Sequence, residues 1–598
     1  MAKVLQQSDG VISFDILING SKIKDVVEVI EISLQMEVNK IASATILIED
    51  GGAIGVVNDP YTNSEGADFI PGNEIEISLG YDNSRKTAFK GIITSHGLMV
   101  KNGRSQLQIT CKDKAVAMTK GRFNAIFQNG TDSDAITTIV GKYGLPLTID
   151  STVPNLPVLM QYNCSDWDFM VIRSEMNNMT VLTDQNKLII KKFDFGGSPK
   201  SEINASQFII DIDLHLESED LAEGYKLTAW DVKTQAKIET TVSLSDNLSQ
   251  GNISAKKLSG TAENGDSNYY SSASLSEGEL KLWGESLASK AVLSKIQGKI
   301  SVPGTAEIIA GDLIELSGFS SRFNGKAYIS KINHLLVEGE WITSLYVGKS
   351  VQLHSSLPDV EDPMASGLIP ATSGTQIAIV KKIDADPDGN YRVLVNLPAF
   401  SGTGQEDGLW ARLAFPYASK NAGFFFFPEI GDEVLLTFIN NDPRFALITG
   451  AVYNAVNTPK EIPDGKNQFK SIFSKSGINI RFDDEDKIIT IETPAKNVFV
   501  LDDKNKSISL KDVSGNSVLM DDSGISMNSP KDIIIKATGK VNISGTAGIS
   551  LKSDSDVKID GLNIVNNAQV GYTAKGNATA EISASGQTTV KGSMVMIN

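Results

Sequence analysis

The chain has 598 residues, 41% of them hydrophobic, which is length for about three to five folding units with packed cores and excludes wholesale disorder. Against 72 acidic residues it sets 55 basic ones, interleaved with the acids, and the formal charge is -17; nucleic acid is excluded as principal partner because phosphate binding needs clustered Lys and Arg. Two cysteines, Cys111 and Cys164, are too few for a disulfide framework and read as buried, reduced thiols.

The opening text, MAKVLQQSDGVISFDI, lacks the apolar run of a secretory signal, and nowhere do 18 apolar residues run together. The expectation is cytoplasmic synthesis and assembly without a signal peptide. From 10 to 118 the sequence alternates as strands do, at 13–18, 28–33, 44–48, 74–79 and 105–111, with Gly-containing breaks. A helix is predicted over 134–143, where Ile136, Ile139, Val140 and Tyr143 share a face behind an Asp and Ser cap. Another opens at Ser165, whose box with Asp168 precedes Phe169, Ile172, Arg173 and Met176 at helical spacing.

Strands return from 200, and the polar stretch 260–274 reads as an exposed loop. Ser276 and Glu279 form a capping box for a longer helix with an apolar stripe of Leu280, Trp283, Leu287 and Ala291. Strands from 298 to 348 close a β-rich unit of two subdomains. Residues 355–374 hold three prolines and no period, the mark of a linker, and 376–453 alternate with turn signals at a spacing that suits a small barrel of about five strands.

Near the C-terminus two apolar columns repeat every eight residues. Ile525, Ile533, Val541, Ile549, Val557 and Val565 form one; Met527, Ile535, Ile543, Leu551 and Ile559 form the other. The i, i+2 spacing puts both members of a unit on one face of a short strand, and Gly, Ser, Asn, Asp and Lys fill the turns. After a slip of one residue the column resumes as Ile582 and Val590, so the stack is expected to run to Asn598. Each octad must hide one apolar face, either against two further octads of its own chain or against two other chains. Lys531, Asp532, Lys536, Lys540, Lys552, Asp554, Asp556 and Lys558 fall outward as a solvated face.

Candidate chemistry is sparse. Asp483, Asp484, Glu485 and Asp486 read as a turn, since adjacent acids diverge where a glycosidase needs two carboxyls flanking a sugar. His96, His215, His334 and His354 are scattered without metal-ligand spacing, and no nucleophile elbow, phosphate loop or dinucleotide fingerprint stands in a strand-to-helix context. No catalytic residue, metal or cofactor is expected. Phe424 to Phe427 are expected to alternate, two entering the barrel core and two left for the hub or a neighbouring chain.

The text GFFFFPEIGDEVLLTFINNDPRFALITGAVYN at 423–454 resembles the most recognisable block of the VgrG spike proteins of type VI secretion and related contractile injection systems; its signature positions are Phe427, Pro428, Glu429, Gly431, Asp432, Glu433, Asp442 and Pro443. YRVLVNLP at 391 and LWARLAFPYASKNAG at 409 resemble the same family's barrel strands, and blocks at 89, 166 and 323 resemble its hub. The hub departs from the family where IRSEMNNM replaces the Arg-Leu-Ala-Glu text of many members, which fits a divergent secretion lineage or a released particle.

The resemblance implies a mainly β, multidomain chain: a tail-hub-like tube adaptor with a few helices (1–354), a linker (355–374), an oligosaccharide-binding-fold barrel (375–455), a neck (456–486) and a trimeric β-helix needle (487–598) whose core is the two columns. It also implies a non-enzymatic homotrimer, a hexameric Hcp-like inner tube, baseplate proteins, effector cargo and a PAAR-type tip protein on Met594, Val595, Met596, Ile597 and Asn598. Two rivals from other classes are a polysaccharide-degrading tailspike, for which octads this short leave no room for a groove, and an adhesin stalk, which calls for a secretion signal.

Overall fold

The computed structural model describes residues 3–6, 10–53, 61–245, 247–262, 265–400 and 408–597. The chain divides into two compact units, Met1–Val452 and Tyr453–Asn598.

The first unit is built on a 14-stranded sheet. Its N-terminal half contains Ile12–Ile18, Val29–Glu37, Ser43–Ala53, Glu74–Tyr81, Ser84–Lys101 and Arg104–Lys112; its C-terminal half contains Ile296–Pro303, Leu313–Ser317, Gly325–Val337 and Glu340–Val347. The halves join where Val29–Glu37 pairs antiparallel with Gly325–Val337, Ile332 opposite Met36 and His334 opposite Leu34. Period-two alternation sends Ile32, Leu34, Ile46, Ile77, Leu107, Ile314, Ile329 and Leu345 into one core shared by both halves.

The halves also repeat each other. Gly72-Asn73-Glu74-Ile75-Glu76-Ile77-Ser78 and Gly311-Asp312-Leu313-Ile314-Glu315-Leu316-Ser317 each enter a strand through a glycine at positive φ, 103° and 90°. The Gly72 amide donates to Ile93 O at 2.8 Å and the Gly311 amide to Ile329 O at 2.7 Å; the Ile93 and Ile329 amides return bonds to Asn73 O and Asp312 O at 2.9 and 3.0 Å.

Among the described residues four α-helices lie between and beside these strands. α1, Asp132–Gly141, starts two residues earlier than its apolar spacing suggests, because Thr131 is the cap: its hydroxyl accepts from the Asp134 amide while the Asp134 carboxylate accepts from the Thr131 amide. α2, Asp166–Met176, is capped by Ser165 as expected. α3, Ala255–Ser259, is a single turn, and α4, Glu277–Ser294, carries the Ser276/Glu279 capping box and buries Leu280, Leu287 and Ala291. The polar stretch 260–274 is not all loop: Ser267–Ser271 pairs parallel with Gly224–Asp231. Backbone bonds and the Tyr269–Trp283 ring contact at 5.5 Å hold that strand, while its outward polar side chains hide it from a hydropathy reading.

Residues 355–374 lack regular strands, yet Val360 and Ala365 are buried and Arg122 Nη2 donates to Glu361 O at 3.0 Å. Five strands then close a barrel in the order Gln376–Lys382, Val393–Asn396, Leu409–Leu413, Ala446–Ala451, Glu433–Phe438. Its interior is small and aliphatic: Ala378, Val380, Val393, Val395, Ala411, Val434, Leu436, Ile448. The expected alternation of Phe424 to Phe427 fails. Only Phe427 packs against that core, because the tract follows the hairpin Ala418–Ser419 and Ala422–Gly423 as irregular backbone rather than as a barrel strand.

The second unit opens with a seven-stranded antiparallel meander, each strand paired to the next, from Phe469–Phe473 through Asn479–Asp483, Ile488–Glu492, Val498–Asp502, Ser507–Lys511 and Ser517–Asp521 to Gly524–Asn528. Beyond it, 529–597 contain no paired strand, and the chain bends at 530–531, 538–539, 546–547, 554–555, 562, 569–570, 577–578, 585–586 and 593–594. The eight-residue step shortens once, after 562. Counted from these bends, Ile582 and Val590 fall where Ile535 and Ile543 do, so they continue the second column.

Candidate functional site

The meander's register sorts its side chains into two rows on one face. Ile472, Ile480, Ile491, Phe499, Leu510, Val518 and Met527 stand opposite one another in sequence, and so do Phe482, Ile489, Leu501, Ile508, Met520 and Ile525. The other face carries Arg481, Thr490, Val500, Ser509, Leu519 and Ser526. Ile525 and Met527 end the rows and begin the octad columns, so one two-row apolar pattern runs from 472 through Val565. Among the described residues of this unit no apolar side chain is buried; in the columns from Ile533 to Val565 exposure runs from 52% at Val541 to 77% at Val565. Met594 lies in the last bend, Val595, Met596 and Ile597 follow it, and the four are 50–90% exposed; Asn598 lies outside the described residues.

The barrel's signature residues are structural. The Glu429 amide donates to Asp432 Oδ2 at 2.8 Å and the Asp432 amide to Glu429 O at 3.1 Å, closing a turn in which Gly431 sits at φ 93° and donates to Val380 O at 2.9 Å. Glu433 then starts a strand. Asp442 accepts from the Arg444 amide at 3.0 Å and from Arg444 Nη2 at 2.6 Å, and the guanidinium holds its carboxyl below the usual range. Pro443 occupies the turn between them. This arrangement fixes a turn and offers no reacting group.

The acidic run behaves as a turn too. Glu485 pairs with Lys466 at 3.0 Å, Asp486 with Lys504 at 2.9 Å, and Asp484 with Lys470, so neighbouring carboxylates point to different lysines. The four histidines are apart: His96 meets Ser64 and Phe69 O, His215 meets Asp213, His354 meets Asp168, and His334 is buried with Nδ1 2.9 Å from Thr343 Oγ1. Burial lowers the His334 pKa to about 4. Cys111 is buried in a strand, which raises its thiol to about 12, whereas Cys164 is only half-buried. Among the described residues no group of His, Cys, Asp and Glu could hold a metal ion, and no helix is long and apolar enough to cross a membrane.

One polar cluster escaped the sequence reading. Glu175, at the end of α2, pairs with Lys290 of α4 at 2.9 Å, accepts from Asn39 Nδ2 at 2.8 Å and from the His354 amide at 2.9 Å, and both charged side chains are almost wholly buried. It ties the two helices to the start of the 355–374 segment. A lone Glu and a lone Lys 115 positions apart (290 less 175) carry no spacing signal.

Residues 8–338, more than half of the chain, match the family described as the Alg8 N-terminal domain, and residues 376–453, the closed barrel, match the type VI secretion system/phage-baseplate injector OB domain. The chain belongs to the Alg8 N-terminal domain family and carries the injector-type barrel behind that domain. It is 30% identical over 194 residues to the type VI secretion system spike protein VgrG1a of Pseudomonas aeruginosa, a match covering 30% of each chain, and 32% identical over 105 residues to VgrG3 of Vibrio cholerae, covering 17% of this chain and 10% of that one. The matched segment therefore spans under a third of these relatives' length. Among solved structures, an Escherichia coli type VI secretion component described as similar to the T4 bacteriophage tail proteins gp27 and gp5 matches 73% of this chain and 99% of its own at 13% identity, with a TM-score of 0.37.

Proposed function

We propose that the chain is a homotrimeric hub and spike with no catalytic role, seated on the inner tube of a contractile injection machine and driven through a target envelope with its tip protein and cargo. The observation that carries this reading is the two-row apolar face. A meander and an octad stack with no buried apolar side chain of their own need partner surface along their whole length, and two further copies of the same face supply it by closing a three-walled prism without open strand edges. The internal repeat of the hub supports the other end: two related half-units in each of three copies give six similar surfaces, which suits a hexameric Hcp-like tube. The apolar Met594 to Ile597 suit a PAAR-type cap, because exposed apolar ends favour cover.

Sedimentation of the purified full chain is expected to give about three times the chain mass. A folded, monodisperse monomer would refute the trimer. Deleting 591–598 is expected to abolish capture of the tip protein in a pull-down while the hub still engages the tube; retained capture refutes the cap.

A further inference from the structure

Three of the four clustered phenylalanines are more than half exposed: Phe424 at 54%, Phe425 at 78% and Phe426 at 62%. Phe424 and Phe426 help to wall a cleft of about 400 Å3 together with Leu413, Phe415, Phe427 and Ile448, and Phe425 lies outside that wall. The tract is braced from within: Phe425 and Phe427 rings lie 4.9 Å apart, and Phe415 and Phe427 rings 5.7 Å apart. Phe425 is thus a knob standing beside a hole made by its own neighbours.

The chemistry of the cleft selects its occupant. No charged side chain lines it, so it has nothing to offer an anionic or cationic ligand. For a chain carrying -17 it is a place where two copies meet without like charges facing each other. Clustered, braced aromatic rings are also what the centres of protein interfaces are made of. Chain length makes copies available. Eighteen residues separate Ala451, the end of the last barrel strand, from Phe469, the start of the apolar meander (469 less 451), so trimerisation there holds three barrels at high local concentration.

We propose that Phe425 of one copy packs into the aromatic cleft of the next, closing a ring of three barrels. This rests on the trimeric reading above. Knob and hole are different surfaces, so the contact is head-to-tail, and three copies related by a threefold axis satisfy every knob and every hole.

The test uses the full chain with photoreactive benzoylphenylalanine in place of Phe425, and a control with it in place of Tyr391, which is 80% exposed on the barrel but outside the cleft. Because Phe425 is mostly exposed, the replacement leaves the barrel core intact. Irradiation is expected to give covalent species of two and three chain masses from position 425 and not from 391. If the unmodified chain sediments as a trimer yet position 425 gives no chain-to-chain product, couples to a different protein, or couples no better than 391, the proposal is overturned and the trimeric reading stands. If the unmodified chain is a monomer, the trimeric reading falls and takes the proposal with it.

Discussion

In the first unit Ile32, Leu34, Ile46, Ile77 and Leu107 lose all their exposed surface inside one chain, whereas in the second unit the equally apolar Ile491, Leu510 and Val541 keep 39%, 54% and 52% of theirs. Both sets sit on strands or octads with the same two-residue alternation. The difference lies in what faces them: the hub's strands share one buried core and the barrel closes on itself, while the meander is an open sheet with one apolar face. A fully buried aliphatic side chain is worth about 1.5–3 kcal/mol, so in the proposed trimer the second unit draws its stability from association. The first unit's stability should therefore be independent of concentration, and the second's should follow mass action.

The hardest blow to that contrast is a charge in the columns. In the proposed trimer Val541→Asp or Ile543→Asp puts three carboxylates in one layer, each costing several kcal/mol, more than the layer's own burial returns. Trimer mass by sedimentation and heat resistance are expected to collapse, with the hub still folded. Asp556→Ala, on the outward face, is expected to leave both unchanged. Equal effects from the two substitutions would show that the inward register is wrong.

The converse test breaks the hub and spares the needle. Lys290→Met leaves the Glu175 carboxylate buried beside Asn39 without its cation. Removing one partner of such a pair costs about 3–5 kcal/mol. Denaturant unfolding is expected to show that loss in the hub transition alone, with association through 472–565 intact. Loss of the trimer from this substitution would mean that the two units are not energetically separate.

A pH scan sharpens the same separation. The folded-state pKa of His334 is lowered from 6.5 to about 4 by burial, so the unfolded chain takes up a proton that the folded hub does not. Its contribution is fully present above the unfolded value and is lost as pH falls from 6.5 toward 4, by up to about 3 kcal/mol at the acid end. All four histidines precede residue 355, so this slope belongs to the hub. Hub melting temperature measured across that window is expected to fall, and His334→Gln is expected to flatten the histidine share of the slope.

How far the sequence could be read follows the same divide. Strand alternation, the Ser165 and Ser276 caps and the barrel's turns were legible because each is a local pattern with a local physical cause. The octads were legible because their period is constant. The meander was missed although its i, i+2 pairs stand in plain text, Ile480/Phe482, Ile489/Ile491, Phe499/Leu501, Ile508/Leu510 and Val518/Met520. Hairpin turns of unequal length space those pairs by nine or ten residues, so no fixed period announces them. The repeat of Gly72 to Ser78 at Gly311 to Ser317 is also visible in the text, but it lies 239 positions away (311 less 72), beyond any search for short periods. The Glu175–Lys290 pair and the exposure of Phe424 to Phe426 come from tertiary placement and left no local mark.

The smallest predicted effect tests whether the hub's helices are local devices within that closed unit. Ser276 accepts from the Glu279 amide at 3.3 Å, and the Glu279 carboxylate accepts from the Ser276 amide at 2.9 Å, satisfying two N–H groups that the helix cannot bond internally. Ser276→Ala removes one side of this exchange and is expected to cost about 1 kcal/mol, read as a small drop in the hub's melting temperature. Because α4 buries Leu280, Leu287 and Ala291 inside its own chain, neither trimer mass nor the concentration dependence of the second unit should change. A substitution this mild that altered association would place α4 in the contact between copies, and the division into a self-sufficient hub and a partner-dependent needle would have to be redrawn there.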